Sequence, residues 1–287
     1  MRSIWQREIA FFLAVPALVW QVLFLCIPIA LVLYTSLHSV TESASWYTLT
    51  LAHYQALFTV NHALIIMRSL IFSTLTALLC LTIGYPVAYF IALRVKKWRL
   101  ILLFLLTLPF WTNFLTQAYA WFFVLERHGL INTVLKMMRI IHEPLLLAHN
   151  NFAVLCVMVY CYLPFMILPI YSVLQKVDVH LLEASQDLGA TKWQTFTRVT
   201  LPLSRIGIQT GLLLVCIPAF GEFVIPMIMG GSRDFYVGSL ISHYMLSSGN
   251  EHLGAAFTCL SACVLFVVIR LVSWYISSVR NAAVRGK

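Results

Sequence analysis

Acid is what this sequence has least of: ten Asp plus Glu among 287 residues, with charged residues of both signs at only 10%. Ordinary soluble domains carry about 25%. So little charge cannot coat a water-facing surface, and with 61% hydrophobic residues most of the exposed area must face lipid. A phosphate-binding G-x-x-x-x-G-K-[ST] loop is missing; the nearest glycine pair, Gly230-Gly231, runs into Ser232-Arg233 with no lysine where one is needed. The chain therefore cannot hydrolyse ATP by itself. Ser/His, paired-Asp and HExxH arrangements are also missing, and the nine His lie outside the apolar span cores, which argues against an intramembrane enzyme. The seven cysteines all fall inside those spans, so a disulfide framework is not expected. Cys259 and Cys263, four residues apart, read as small packing residues on one helix face. No nucleic-acid-reading module organises the 19 Lys and Arg.

What is there instead is a set of apolar stretches long enough to cross about 30 Å of hydrocarbon. Six occur, at about 9–35, 69–93, 100–125, 152–174, 206–229 and 254–276. Continuous apolar runs of this length predict helices rather than barrel strands, since a lone helix satisfies its own backbone in lipid. The first run is longer than the 7 to 15 residues of a signal-peptide core, so it reads as a retained span. The basic residues sort by side. Thirteen (Arg2 and Arg7; Arg94, Lys96, Lys97 and Arg99; Lys176, Lys192, Arg198 and Arg205; Arg280, Arg285 and Lys287) alternate with five (Arg68, Arg127, Lys136, Arg139, Arg233). Positive charge favours the cytoplasm, so both termini are expected there. The net charge of +9 then reads as an orientation signal, because the outer segments come out neutral. Arg270 lies within the last span near its inner end and reads as snorkelling to the headgroups. The outer connections are long, with Trp46, Tyr47 and Tyr54 suited to an interface, and 132–146 predicts a short amphipathic helix.

One connection is polar enough for water yet patterned enough to fold. Over 176–205, Asp178 can cap a helix, Leu181, Ala184 or Ser185, and Leu188 form an apolar stripe, and Gly189 sits where a C′ residue belongs. A second helix starts at Thr191 with Gln194 three residues on, a capping-box pattern, and is expected to stop at Pro202.

Glu183-Ala184-Ser185, three residues, Gly189, nine residues, then Val199-Thr200-Leu201-Pro202 resembles the EAA loop of ABC-importer permeases. Ser185 stands for the third-position alanine and Val199 for isoleucine. Six spans, inside termini and the loop's place between spans four and five fit the same family. Pro109-Phe110-Trp111-Thr112-Asn113, Leu163-Pro164-Phe165-Met166, Asp187-Leu188-Gly189-Ala190 and Gly221-Glu222-Phe223-Val224-Ile225-Pro226 are similar to its spermidine/putrescine branch.

The resemblance implies an all-α membrane protein with the type I ABC-importer permease fold, in a bacterial inner membrane. It also implies a second homologous permease, a periplasmic substrate-binding protein and a cytoplasmic ATPase dimer that carries the ATP and Mg. No cofactor is expected on this chain and no nucleic acid, and the chain is expected to be a transporter subunit rather than an enzyme. Glu183, Ala184, Ser185 and Gly189 would meet the ATPase, with Leu181, Leu182 and Leu188 filling its groove.

For a cationic solute, the path should offer carboxylates and aromatic faces. Glu222 is the only acid inside a span, and with Pro218, Gly221 and Pro226 around it the helix there is expected to break. It is a pathway candidate; pairing with Arg270 or a place at the outer interface are the alternatives. Trp111, Asn113, Tyr119 and Trp121, with Tyr160 and Tyr162, are further candidates, or lipid-facing and packing residues. Polyamines are the first substrate expected. An oxyanion, ferric iron, or an opine- or amino-acid-like solute is the alternative, and an intramembrane enzyme or an assembly scaffold is a remote one.

Overall fold

The computed structural model describes residues 2–39, 48–95, 97–231 and 235–285. Trp46, Tyr47, Lys96, Ser232, Arg233 and Lys287, named above, lie outside the described residues. The elements run in the order α1 (Arg2–Leu37), β1 (His38–Ser39), β2 (Thr48–Leu49), α2 (Ala52–Leu57), α3 (Val60–Tyr89), α4 (Arg99–Thr107), α5 (Phe114–Leu125) and α6 (Leu130–Met137). There follow α7 (Asn151–Leu174), α8 (Val179–Asp187), α9 (Lys192–Thr195), α10 (Leu201–Leu203), α11 (Arg205–Phe220), α12 (Val224–Met229), α13 (Val237–Ser242) and α14 (Glu251–Arg285). Among the described residues the regular structure is helical apart from the antiparallel β1–β2 ribbon.

Among the described residues, four helices are long and apolar enough to cross a bilayer: Val15–Leu37, Val60–Arg94, Asn151–Leu174 and Glu251–Trp274. Two bent pairs, Arg99–Trp111 with Phe114–Met137 and Lys192–Leu203 with Arg205–Phe220, bring the number to six when each pair counts as one span. The stretch expected as one helix over 100–125 turns by 93°. A 3-10 turn over Leu108–Trp111 ends in an extended Thr112, and the Asn113 side chain accepts the Leu115 N–H to start α5 afresh. Gln117 ties the corner together by donating to the Pro109 carbonyl and, at 2.6 Å, to the Thr112 hydroxyl. The stretch over 206–229 is interrupted as well, between Phe220 and Val224. By contrast α7 runs unbroken through Pro164 and Pro169.

The chain forms two compact units, Met1–Ala63 with Leu240–Lys287, and Leu64–Ser239. In the first, α14 packs on α1 and α2. Tyr54 donates to the buried Ser36 hydroxyl at 2.9 Å, and His252 Nδ1 lies 2.9 Å from the Thr35 carbonyl. The Tyr54 hydroxyl has its pKa raised, chiefly because burial disfavours the phenolate. Trp20, Phe24 and Leu31 of α1 are exposed.

In the second unit α7 is the central post, with Val154, Val157, Met166, Ile170 and Leu174 fully buried. The inward stripe of α3 is made of small residues at three- and four-residue spacing: Ser69, Ser73, Thr76, Cys80, Gly84 and Ala88. Small residues let helices approach closely where no hydrophobic force between helices exists in lipid. Ser73 receives the Cys216 thiol of α11 at 3.6 Å, and Tyr85 meets Ser204 at 3.0 Å. α11 packs on α7 through Gly207 and Gly211.

Candidate functional site

The connection after α7 folds as two short helices around one glycine. Asp178 accepts the His180 N–H at 3.0 Å and starts α8. Gly189 follows its end with φ +86°, a left-handed conformation natural to glycine at C′. Thr191 and Gln194 then form a reciprocal capping box for α9. Pro202 does not stop this second helix as expected. A π-helical turn, Phe196–Thr200, shifts the hydrogen-bond frame ahead of the proline, and α10 carries Pro202 in its first turn, where its missing N–H costs nothing. The bend comes at Ser204, and α11 leaves at 63°.

The apolar stripe also differs from expectation. Leu182 is the buried leucine of α8, only 9% exposed, whereas Leu181 is exposed and Leu188 is 89% exposed. Leu182 therefore belongs to the loop's own packing, and Leu181 and Leu188 are the apolar residues it presents outward, joined by exposed Trp193. The Glu183 carboxylate is 63% exposed and lies 3.2 Å from His180 Nδ1. Beside it a notch of about 270 Å³ collects Arg94, Lys192, Gln186 and Phe196. Ser185 donates to the Leu182 carbonyl at 2.8 Å, and its hydroxyl stands 2.9 Å from that of Thr195, pinning α8 to α9. Ala184 lies on the exposed side of α8. Ser185→Ala is expected to loosen this pin by about 1–2 kcal/mol, since buried Thr195 loses its partner. Limited proteolysis of the loop checks it, with faster cleavage expected.

A second site forms at the corner between α4 and α5. The helix break around Glu222 is present: α11 ends at Phe220, and Glu222 Oε1 accepts the Val224 N–H at 2.9 Å as α12 begins. Its other oxygen accepts the Tyr162 hydroxyl at 2.6 Å. Both carboxylate oxygens thus have partners within their own unit. The carboxylate borders a cavity of about 360 Å³, inside the range of small-ligand pockets. Phe110 and Phe165 wall it with ring centroids 5.0 Å apart, and Gln117 and Cys161 supply polar atoms. Among the described residues no lysine or arginine lines it.

The other sequence candidates stand elsewhere. Trp111 is 77% exposed and packs edge-on to Phe104; Asn113 is spent as the cap of α5; Tyr119 is exposed; Tyr160 meets Trp121 with centroids 5.1 Å apart. None of the four lines the cavity. Tyr162 reaches Glu222 while Tyr160 does not because two residues turn a helix by about 200°. Gln117 and Cys161 went unread as lining residues; Gln117, four positions after Asn113, was the available polar signal.

The family described as "Binding-protein-dependent transport system inner membrane component" matches residues 81–281. A spermidine/putrescine transport system permease protein, PotB, of Haemophilus influenzae is 40% identical over 257 residues, 88% of this chain and 90% of that one. The protein of the same name from Escherichia coli K12 is 37% identical over 267 residues, 92% and 96% of the two chains. The solved structure of a bacterial ABC transporter involved in import of the acidic polysaccharide alginate superimposes with a TM-score of 0.72, covering 96% of both chains at 17% identity. A second structure pairs such a transporter with an alginate pentasaccharide-bound periplasmic protein, also with a TM-score of 0.72.

Proposed function

The chain belongs to the binding-protein-dependent transport system inner membrane components, and from that premise we propose that it carries polyamines of the spermidine/putrescine kind inward across the bacterial cytoplasmic membrane. It is a transporter subunit and not an enzyme. Identity of 40% to a spermidine/putrescine permease over nine-tenths of the chain is the observation that carries this reading. The charge in the cavity supports it: one acid, aromatic walls and no lysine or arginine among the described residues suit a cation and offer an oxyanion nothing.

The remaining roles follow from the same reading. A second permease completes the path, a periplasmic binding protein delivers the solute, and a cytoplasmic ATPase dimer, which holds the ATP and Mg, drives it. Both termini and the 176–205 loop lie in the cytoplasm, in keeping with thirteen basic residues against five. The loop's outward residues, Glu183, Leu181 and Leu188, enter the ATPase groove. Closure of the ATPase dimer on ATP then pushes α8, and α11, continuous with the loop beyond Ser204, moves the Glu222 break. Exposed Trp111, Asn113, Tyr119 and Tyr160 face the second permease or the path it shares.

Uptake of labelled putrescine and spermidine into membranes holding the whole complex tests this, with amino acids and oxyanions as competitors. Polyamines alone should compete. Glu222→Gln is expected to cut uptake about tenfold or more, because a hydrogen bond to a charged group is worth about 1.5–3 kcal/mol and each 1.4 kcal/mol is tenfold. Complex assembly should be unchanged. Unaltered transport kinetics in that variant would remove Glu222 from the path.

A further inference from the structure

The two hydrogen bonds on Glu222 are not alike. The Val224 N–H is backbone at the start of α12 and cannot leave without undoing that turn. The Tyr162 hydroxyl, 2.6 Å from Oε2, is the end of a side chain, so another donor can replace it at the carboxylate while the backbone stays in place. Both are donors to a carboxylate, the stronger class of hydrogen bond. The cavity that the carboxylate and Tyr162 both border has apolar Phe110 and Phe165 for walls.

Resting on the polyamine reading above, we infer that this cavity seats one primary ammonium group with its methylene stem, and that Tyr162 is a latch on that seat. When the seat is empty the phenol occupies the carboxylate; when an ammonium arrives it takes the phenol's place. The exchange swaps one charge-assisted donor for another, so the half-buried carboxylate is never left without a partner, which would cost part of its desolvation penalty. Competition from the phenol also keeps the seat weak, and a site on a transport path must release what it binds. The methylene stem lies against Phe110 and Phe165, whose faces attract the neighbouring cation. An amino acid's own carboxylate would find no basic partner here among the described residues and would be repelled by Glu222. Tyr162 is thus a positioning residue, acting through Glu222.

Binding of putrescine itself is the test. Equilibrium binding of labelled putrescine is measured on the detergent-solubilised complex without the periplasmic protein, and uptake of labelled putrescine is measured alongside in membranes holding the whole complex. Putrescine should bind and glutamate should not displace it. Glu222→Gln should raise the dissociation constant at least tenfold, whereas Tyr162→Phe should lower it about three- to tenfold, the worth of one released hydrogen bond. The opposite signs separate a latch from a merely structural tyrosine, whose loss would weaken binding in both variants. Fluorotyrosine at 162, a stronger donor of nearly unchanged shape, should raise the dissociation constant and decides the latch should Tyr162→Phe fail to assemble. Uptake of putrescine with no binding, or with binding that Glu222→Gln leaves unchanged, overturns the seat and leaves the substrate class standing. Failure to take up any polyamine overturns the substrate class and the seat with it. A Tyr162→Phe dissociation constant shifted upward overturns the latch alone.

Discussion

Valine at position 189 is expected to lower ATP-driven uptake at least tenfold and to release the ATPase from the complex, while asparagine at the same place keeps most of both. A Cβ on Gly189 would meet nothing within 4 Å, so no neighbour has to move and the whole effect comes from the backbone. With φ at +86°, an L side chain there costs about 1–2 kcal/mol, more when β-branched. Asparagine tolerates this region because its short amide bonds locally. Little opposes a rearrangement: α8 is held to α9 by the Ser185–Thr195 pair and the buried Leu182. The valine chain therefore relieves its strain by swinging α8, which carries Glu183 and Leu181 away from the ATPase groove proposed for them. Glu183→Arg should produce the same loss by reversing one charge with no backbone change. Co-purification of the ATPase and uptake by the complex measure both. A Gly189→Val complex that holds its ATPase and transports normally would sink the docking role.

How much of this was legible depended on distance along the chain. The caps at Asp178 and Thr191 and the glycine at 189 are events within four residues, and the structure has each where local chemistry puts it. Which leucine of α8 turns inward was not legible, because Leu182 is chosen by packing inside the folded loop and not by the period of its own helix. Pro202 shows the same limit from another side. A proline reads as a stop, yet the π-turn over Phe196–Thr200 absorbs it, and no residue type announces a π-turn. The break at Glu222 could be read from Pro218, Gly221 and Pro226, all within five residues. Its partner Tyr162 lies sixty positions away and was one of six aromatic and amide candidates. Asn113, a pathway candidate by sequence, instead accepts the Leu115 N–H, which makes it a cap and leaves the cavity to Gln117.

Alanine at position 207 is expected to destabilise the permease more than alanine at position 211, although both replace a glycine on the same face of α11 with the same methyl group. Four residues apart, Gly207 and Gly211 let α11 lie against the backbone of α7, the arrangement small residues make possible between membrane helices. The obstacles differ. A Cβ at 207 would stand 2.8 Å from the Pro169 carbonyl oxygen and 2.9 Å from the Ile170 Cα. Those are backbone atoms of a continuous helix, so only separation of the two helices can relieve the clash. A Cβ at 211 would meet the Met166 sulfur at 2.7 Å, the end of a flexible side chain that can find another rotamer. Overpacking a tight interface costs about 1–3 kcal/mol and at times more; Gly207→Ala belongs at the top of that range and Gly211→Ala at the bottom. Leucine should reverse the leniency at 211, because the Met166 carbonyl oxygen and Cα stand 3.2 and 3.4 Å from the same Cβ and leave no room for a branched side chain. Thermal unfolding of the detergent-solubilised complex ranks the variants, with Gly207→Ala and Gly211→Leu expected to lose the assembled complex and Gly211→Ala to retain it. Equal melting of the two alanine variants would mean that α7 and α11 part as easily at Pro169 as at Met166, and that the glycine pair does not set their spacing.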